Sequence, residues 1–428
     1  MKKQNLFIFS FLFFTISLFA QQNIPKSAVI FNQSFKNIQL KETEMHSYPL
    51  TLTKGKLYRF DIFQKGIDVE LSLRNEKNIE VYHKDSPNGK NGAETFLYNA
   101  VVGGKYQLFV IPLKEDGNAK EGNYDILVKR FSNSEIKFRE KTKKELIPEN
   151  LKTVQTADID HFWEAFDKLK KCKTHDDSVE IFQKWYIDRA TDGFIDFLRV
   201  REFTAEEYVQ KLAKNSEDYT KNRAQMFEVK KAEPLIQEVF EKFKKIYPNF
   251  TPFKVCFAIG TFRTGGTVSD KFVLLGTEMV ASGKMENIPQ RIKSIVAHEC
   301  VHTQQKNPDS TSNACRLLYA ALNEGSANFI SELIAGESNK DAYDNYGVLH
   351  ETELWKEFKA EMCNENISNW LYNGFTVKDK PADLGYFMGY VISKEYYKNA
   401  ADKSKAVIEI IEMTNPKAFL EKSGYDKN

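Results

Sequence analysis

The stretch IVAHECVHTQQ, residues 295–305, holds two histidines four residues apart with a glutamate directly after the first. In a helix, residues i and i+4 lie on one face, so His298 and His302 present two imidazoles to a single cation, a bite that suits Zn²⁺. Glu299 is turned about 100° around that helix. It cannot easily bind the same ion but can reach a water held by it, which is the general-base position of H-E-x-x-H sites. The chemistry implied is hydrolysis of a peptide bond by zinc-activated water. Cys300 points away from both histidines and is expected to pack.

Two histidines do not complete a zinc site. One known pattern places a glycine three residues after the second histidine and a third histidine three beyond that. Gln305 and Pro308 occupy those positions, so that pattern fails. The alternative takes a glutamate from a following helix. In NACRLLYAALNEGSANFISELIAG, Glu324 shares a helical stripe with Ala320, Ala321, Ala327, Asn328 and Ser331, which permits close approach to the motif helix. Glu324 is the candidate third ligand, 22 positions after His302. Glu332, nearer the leucine-rich face, is the second choice. Two histidines and one carboxylate leave a coordination position for water, as catalytic zinc sites do.

The elements that must hold these residues follow from the patterning. Pro289 suits a helix N-terminus, and Ile292, Ile295 and Val296 give the motif helix an apolar stripe. Residues 151–428 read as a helix-rich α+β domain, with helices such as DIDHFWEAFDKL and LIQEVFEKFKKIY and two short strands, FKVCFAIG and KFVLLGTE. Residues 22–131 alternate apolar and polar positions in LYRFDI, DVELSL, YQLFV and YDILV, with glycine-rich turns between them; an antiparallel β-sandwich follows. Residues 132–150, polar and charged, read as a linker.

At the N-terminus, Lys2 and Lys3 precede the apolar run LFIFSFLFFTISLFA and the small residue Ala20, the layout of a signal peptide spanning residues 1–20. The expected product is exported, periplasmic or secreted, without stable membrane insertion. The formal net charge of +2 includes those two lysines, which leaves the rest close to neutral and argues against nucleic acid as a partner. The partner expected is a peptide or protein substrate; nothing in the sequence sets the oligomeric state. Five cysteines, an odd number, leave at least one unpaired, and most read as buried thiols.

Two resemblances add to this reading. The order of LTKGKLYRFDI, DVELSL, GGKYQLFV and EGNYDILV resembles bacterial pre-peptidase C-terminal (PPC-like) domains, which accompany secreted peptidases and do no chemistry. The second part resembles the predicted Zn-dependent protease family DUF2268 and the related gliding-motility (GldB-type) proteins. YIDRATDGFIDFLRVR, FAIGTFRTGGTVSDKFVLLGTEM, IVAHECVHTQQ, LNEGSANFISEL and PADLGYFMGYVISKEYY carry that match in order. It implies a gluzincin-like metallopeptidase fold with His298, His302 and Glu324 as zinc ligands and Glu299 as base. The alternative it leaves is a zinc-bound, non-proteolytic envelope protein. In zincin folds an edge strand near the motif helix holds extended substrate, a role that KFVLLGTEM suits. TFRTGGT reads either as a β-turn or as a loop brought close to that strand. Gly385 and Gly389 would allow tight helix packing. Tyr386 and Tyr390, one turn apart, read first as buried aromatics and second as donors to an oxyanion.

Overall fold

The computed structural model describes residues 29–86, 89–114, 117–308, 315–336, 341–374 and 377–427. The expected signal peptide lies outside them. The described residues form two compact units, divided between Phe138 and Arg139.

The first unit carries eight strands: β1 (Ser34–Lys41), β2 (His46–Leu52), β3 (Leu57–Lys65), β4 (Val69–Asn75), β5 (Glu80–Lys84), β6 (Asn91–Asn99), β7 (Gly104–Pro112) and β8 (Glu121–Arg130). They make two antiparallel sheets, ordered β1-β8-β3-β6 and β2-β7-β4-β5. The alternating residues supply the core between them: Phe60, Ile62 and Ile126 from one sheet meet Leu71, Leu108 and Val110 from the other. The central strand β3 departs from simple alternation, because its outer face is covered as well. There Arg59 and Asp61, both buried, satisfy each other through a 2.7 Å ion pair.

The segment expected as a linker is helical, α1 (Asn133–Asn150), and the division between the units falls inside it. Its start is fixed by a reciprocal cap. The Ser132 amide donates to the Glu135 carboxylate, and the Glu135 amide donates to the Ser132 hydroxyl. Only Thr142 and Leu146 of this helix are buried, which is why its sequence lacks an apolar stripe.

The second unit continues with β9 (Val154–Gln155), α2 (Ala157–Leu169), α3 (His175–Trp185), α4 (Asp192–Arg201), α5 (Ala205–Lys221), α6 (Arg223–Glu228), α7 (Glu233–Ile246), β10 (Lys254–Ala258), β11 (Gly266–Val268), β12 (Phe272–Gly276) and α8 (Thr277–Val280). The motif helix α9 (Ile288–His302) follows, then α10 (Arg316–Ala335), α11 (Ala342–Glu361), α12 (Leu384–Asn399), α13 (Lys403–Ile411) and α14 (Pro416–Ser423). The sheet order is β11-β12-β10-β9. β9, β10 and β12 run parallel, while β11 pairs antiparallel to β12 on the outside. Every residue of β12 is buried, as a strand covered on both faces requires.

This corrects one expectation. KFVLLGTEM forms the interior strand β12 and the short helix after it; the edge strand beside the motif helix is β11, from TGGTV. The loop entering β11 is held from below. Glu278 of α8 accepts from the amides of Gly260 and Phe262, at 2.7 and 3.0 Å. The Tyr186 and Tyr208 hydroxyls donate to the Ile259 carbonyl and the Tyr219 hydroxyl to that of Gly260.

Helix α10 packs against both α9 and α12. Ser331 donates to the Ser294 carbonyl and Gln290 to that of Ala335, so α10 returns antiparallel along α9. On its other side the backbones nearly touch. A Cβ on Gly389 would overlap the Ala321 carbonyl, and one on Gly325 would overlap the Tyr390 amide. The small residues of LNEGSA and LGYFMGY are there because two helix backbones meet at that point.

Cys315, directly before α10, is bonded to Cys363, just beyond α11. Cys172, Cys256 and Cys300 are free thiols. No helix among the described residues is long and apolar enough to cross a membrane.

Candidate metal centre

His298 and His302 leave α9 on one face, and Glu324 meets them from α10. One ligand atom from each lies within 4.8 Å of the others. The two Nε2 atoms are 3.0 Å apart, and the Glu324 Oε2 atom is 3.4 Å from that of His298 and 3.2 Å from that of His302. Side-chain exposure is 15%, 14% and 10% in that order, so the triangle is shielded from bulk water but reachable.

The donor chemistry can be worked out atom by atom. Gln305 donates its amide NH₂ to the Asn323 carbonyl (2.7 Å) and the Ser326 hydroxyl (3.2 Å), which leaves its carbonyl oxygen as an acceptor. That oxygen is 2.7 Å from His302 Nδ1. His302 therefore carries a proton on Nδ1 and turns the lone pair of Nε2 toward the triangle. Two imidazole nitrogens and a carboxylate oxygen converging on one point cannot all be satisfied by one shared proton. A divalent cation satisfies all three, and the donor set N, N, O is one that zinc takes. Without a cation, burial lowers the basicity of His302, but the Glu324 carboxylate beside it outweighs this and raises its pKa to about 9. Burial raises the Glu324 carboxyl, yet the two histidines hold it well below the ordinary range.

Glu299 is 7% exposed and stands against the edge strand. A Cβ on Gly266 would collide with its carboxylate, so glycine at that position is what lets the glutamate lie against β11. Burial pushes the Glu299 carboxyl up, His298 and His302 pull it back, and Glu324 adds to the rise. Cys300 is fully buried, and burial pushes its thiol far above the usual range, so it packs as an inert side chain.

The other candidates separate. Glu332 accepts from the Tyr390 hydroxyl, to which Lys394 donates at 2.8 Å; Glu332 and Tyr390 form a pair of their own. Tyr386 lies at the centre, its ring 6.4 Å from that of His298 and nearly parallel to it. Burial, then the Glu324 carboxylate, raises the Tyr386 phenol, which keeps it a hydrogen-bond donor. Two further residues went unseen in the sequence. Tyr372 has an exposed ring and a left-handed backbone (φ 57°), and its hydroxyl donates to Glu324 Oε1. That leaves Oε2 for the triangle. Gln305 orients His302 as described. Neither lies in a spaced motif: Gln305 follows the helix by a turn, and Tyr372 comes from a loop 48 residues after Glu324.

Comparison with known proteins gives the class. Residues 122–404 match the family described as "Putative zinc dependent peptidase (DUF5700)", and the chain belongs to that family. The match names neither DUF2268 nor the gliding-motility group that the motifs resemble. No curated protein matches the chain. Among solved structures, the chain is similar to the pre-peptidase C-terminal domain of a collagenase from Bacillus anthracis, with 22% identity over 25% of this chain and 99% of that one and a TM-score of 0.20. It is also similar to PliG, a periplasmic inhibitor of g-type lysozyme from Aeromonas hydrophila, with 11% identity over 23% of this chain and 85% of that one and a TM-score of 0.19. At those scores neither bears on function.

Proposed function

We propose that the second unit is a gluzincin-like peptidase of an exported protein, with His298, His302 and Glu324 as zinc ligands and Glu299 as general base. The observation that carries this reading is the convergence of the three donor atoms within 4.8 Å, with Glu299 one residue along the same helix. Zinc, when bound, acts as a Lewis acid that polarises the peptide carbonyl and acidifies water. The chain's own residues do the rest. Glu299 takes a proton from the attacking water as its oxygen bonds to the carbonyl carbon. Glu299 then returns the proton to the amide nitrogen as the C–N bond breaks, and the second proton of the water passes from the new carboxyl group to the released amine, giving one carboxylate and one ammonium group. The raised affinity of a buried carboxylate for protons suits that exchange. In this reading Tyr386, whose ring lies beside that of His298, donates to the oxygen that gains charge. The edge strand β11 offers backbone groups to an extended peptide beside Glu299.

Export is supported by the N-terminal apolar run and by the Cys315–Cys363 disulfide, which an oxidising compartment favours. The periplasm fits both. The test is twofold. Purified protein is offered a broad peptide library with and without a chelator, and zinc content is measured for wild type and Glu324→Ala. Chelator-sensitive cleavage and loss of zinc in the variant are expected. Zinc bound without cleavage in any condition would favour a non-proteolytic binding protein. Unchanged zinc in Glu324→Ala would remove that residue from the ligand set.

A further inference from the structure

One cation beside this centre has no carboxylate partner among the described residues. Arg201 ends α4, where a basic side chain is ordinarily explained by the helix dipole. Its side chain instead reaches over to the edge strand, where one Nη donates to the Gly266 carbonyl at 3.3 Å. Its Nε is buried and has no hydrogen-bond partner. The neighbouring Arg263 is neutralised by Glu207; Arg201 has no such pair. Burial of the unpaired guanidinium disfavours its charge, the Glu299 carboxylate offsets this, and the neighbouring Arg263 adds to it.

The register of β11 says what this guanidinium faces. The Gly276 amide donates to the Gly265 carbonyl and the Ser269 amide to the Phe272 carbonyl. With a period of two, the backbone groups of Gly266 and Val268 therefore point away from β12, toward the open edge. Arg201 sits on the first of those outward carbonyls. Glu299 lies over the same glycine, on the face of the strand. A peptide extended along the open edge thus meets a fixed cation within about one or two residues of the base, at roughly 3.3 Å per residue. A chain that continued would have to displace that contact. A chain that ends there in a carboxylate would pair with it, and guanidinium and carboxylate match as forked donor and acceptor. An amino terminus would be repelled.

We infer that Arg201 receives the α-carboxylate of the substrate, and that the protein trims peptides from their C-terminal end, releasing short pieces. This rests on the zinc peptidase reading and deepens it. The reaction is the hydrolysis described above, with the released piece keeping the carboxylate that Arg201 held.

The test uses two N-terminally labelled peptides of one sequence, ending in carboxylate or carboxamide, with the zinc-loaded full chain. Cleavage sites are read by mass spectrometry. The wild type is expected to cut the free acid near its C-terminus on the order of tenfold or more faster than the amide. In Arg201→Met the preference for the free acid over the amide should disappear, with zinc content as in wild type. In parallel, anisotropy titrations with zinc-loaded Glu299→Gln should show tighter binding of the acid form, abolished by adding Arg201→Met. Equal cutting of both peptides at internal bonds, or equal binding of both, overturns the role of Arg201 and leaves the peptidase reading standing. If neither peptide is cut, the binding arm still decides on Arg201, and the peptidase reading is what falls.

Discussion

Gln305 and Tyr372 show how the centre is finished by side chains that no motif announces. The cluster of His298, His302 and Glu324 was legible in the sequence because a helix imposes the spacing: the two histidines by the turn, Glu324 by its stripe of small residues. Gln305 was legible only as the residue that breaks a different pattern. Its grip on His302 Nδ1 depends on the chain leaving α9 in a turn that returns its amide to Asn323 and Ser326 on α10. Partners of this kind fix a ligand's tautomer and direction, and their loss typically weakens metal binding about 10- to 100-fold. Gln305→Ala should therefore weaken zinc affinity by about that factor in a chelator competition, with little change in the thermal midpoint of the zinc-saturated protein. An affinity equal to wild type would show that packing alone holds His302 in place.

Among the elements, strands long enough to alternate and helices with an apolar stripe could be read ahead. The exceptions have physical causes. β11 has three residues, the first a glycine that is itself preceded by a glycine, and so it carries no periodic signal; the longer apolar strand beside it looked like the substrate edge and is interior. α1 is polar on nearly every side, and only the Ser132–Glu135 cap betrays it. The loop that delivers β11 depends on Glu278, which is fully buried and accepts two backbone amides. Burial raises its pKa from 4.5 to about 7. The folded state then holds this proton more tightly than the unfolded chain. The stability linked to it is present below about pH 4.5 and is lost as pH rises through about 7, by at most about 3 kcal/mol. Urea midpoints followed from pH 5 to pH 8 (about the range in which the group titrates) should fall more steeply in wild type than in Glu278→Gln. Parallel curves would mean that Glu278 is not a buried acid of this kind.

At the scale of the molecule, the division into a β-sandwich unit and a helix-rich unit was legible from the change of hydrophobic period near residue 150, whereas the disulfide was not. Five cysteines admit many pairings, and connectivity is not written in their spacing. The bond between Cys315 and Cys363 closes 48 residues and ties the start of the helix carrying Glu324 to the segment that leads to Tyr372. A loop of that length gives about 4 kcal/mol of stabilisation on the chain-entropy view. A reductant should lower the thermal midpoint of the wild type and leave that of a Cys315→Ser, Cys363→Ser double variant where it already is; equal response of both proteins would contradict it. The claim on which everything else depends is that Glu299 moves the proton at a zinc held by His298, His302 and Glu324. The measurement that tests it most directly is peptide hydrolysis by wild type and Glu299→Gln, each with its zinc content determined on the same sample. Both proteins should hold one zinc per chain, and hydrolysis should fall on the order of 10²- to 10⁴-fold in the variant. A zinc-loaded Glu299→Gln that cuts as fast as wild type would contradict the account.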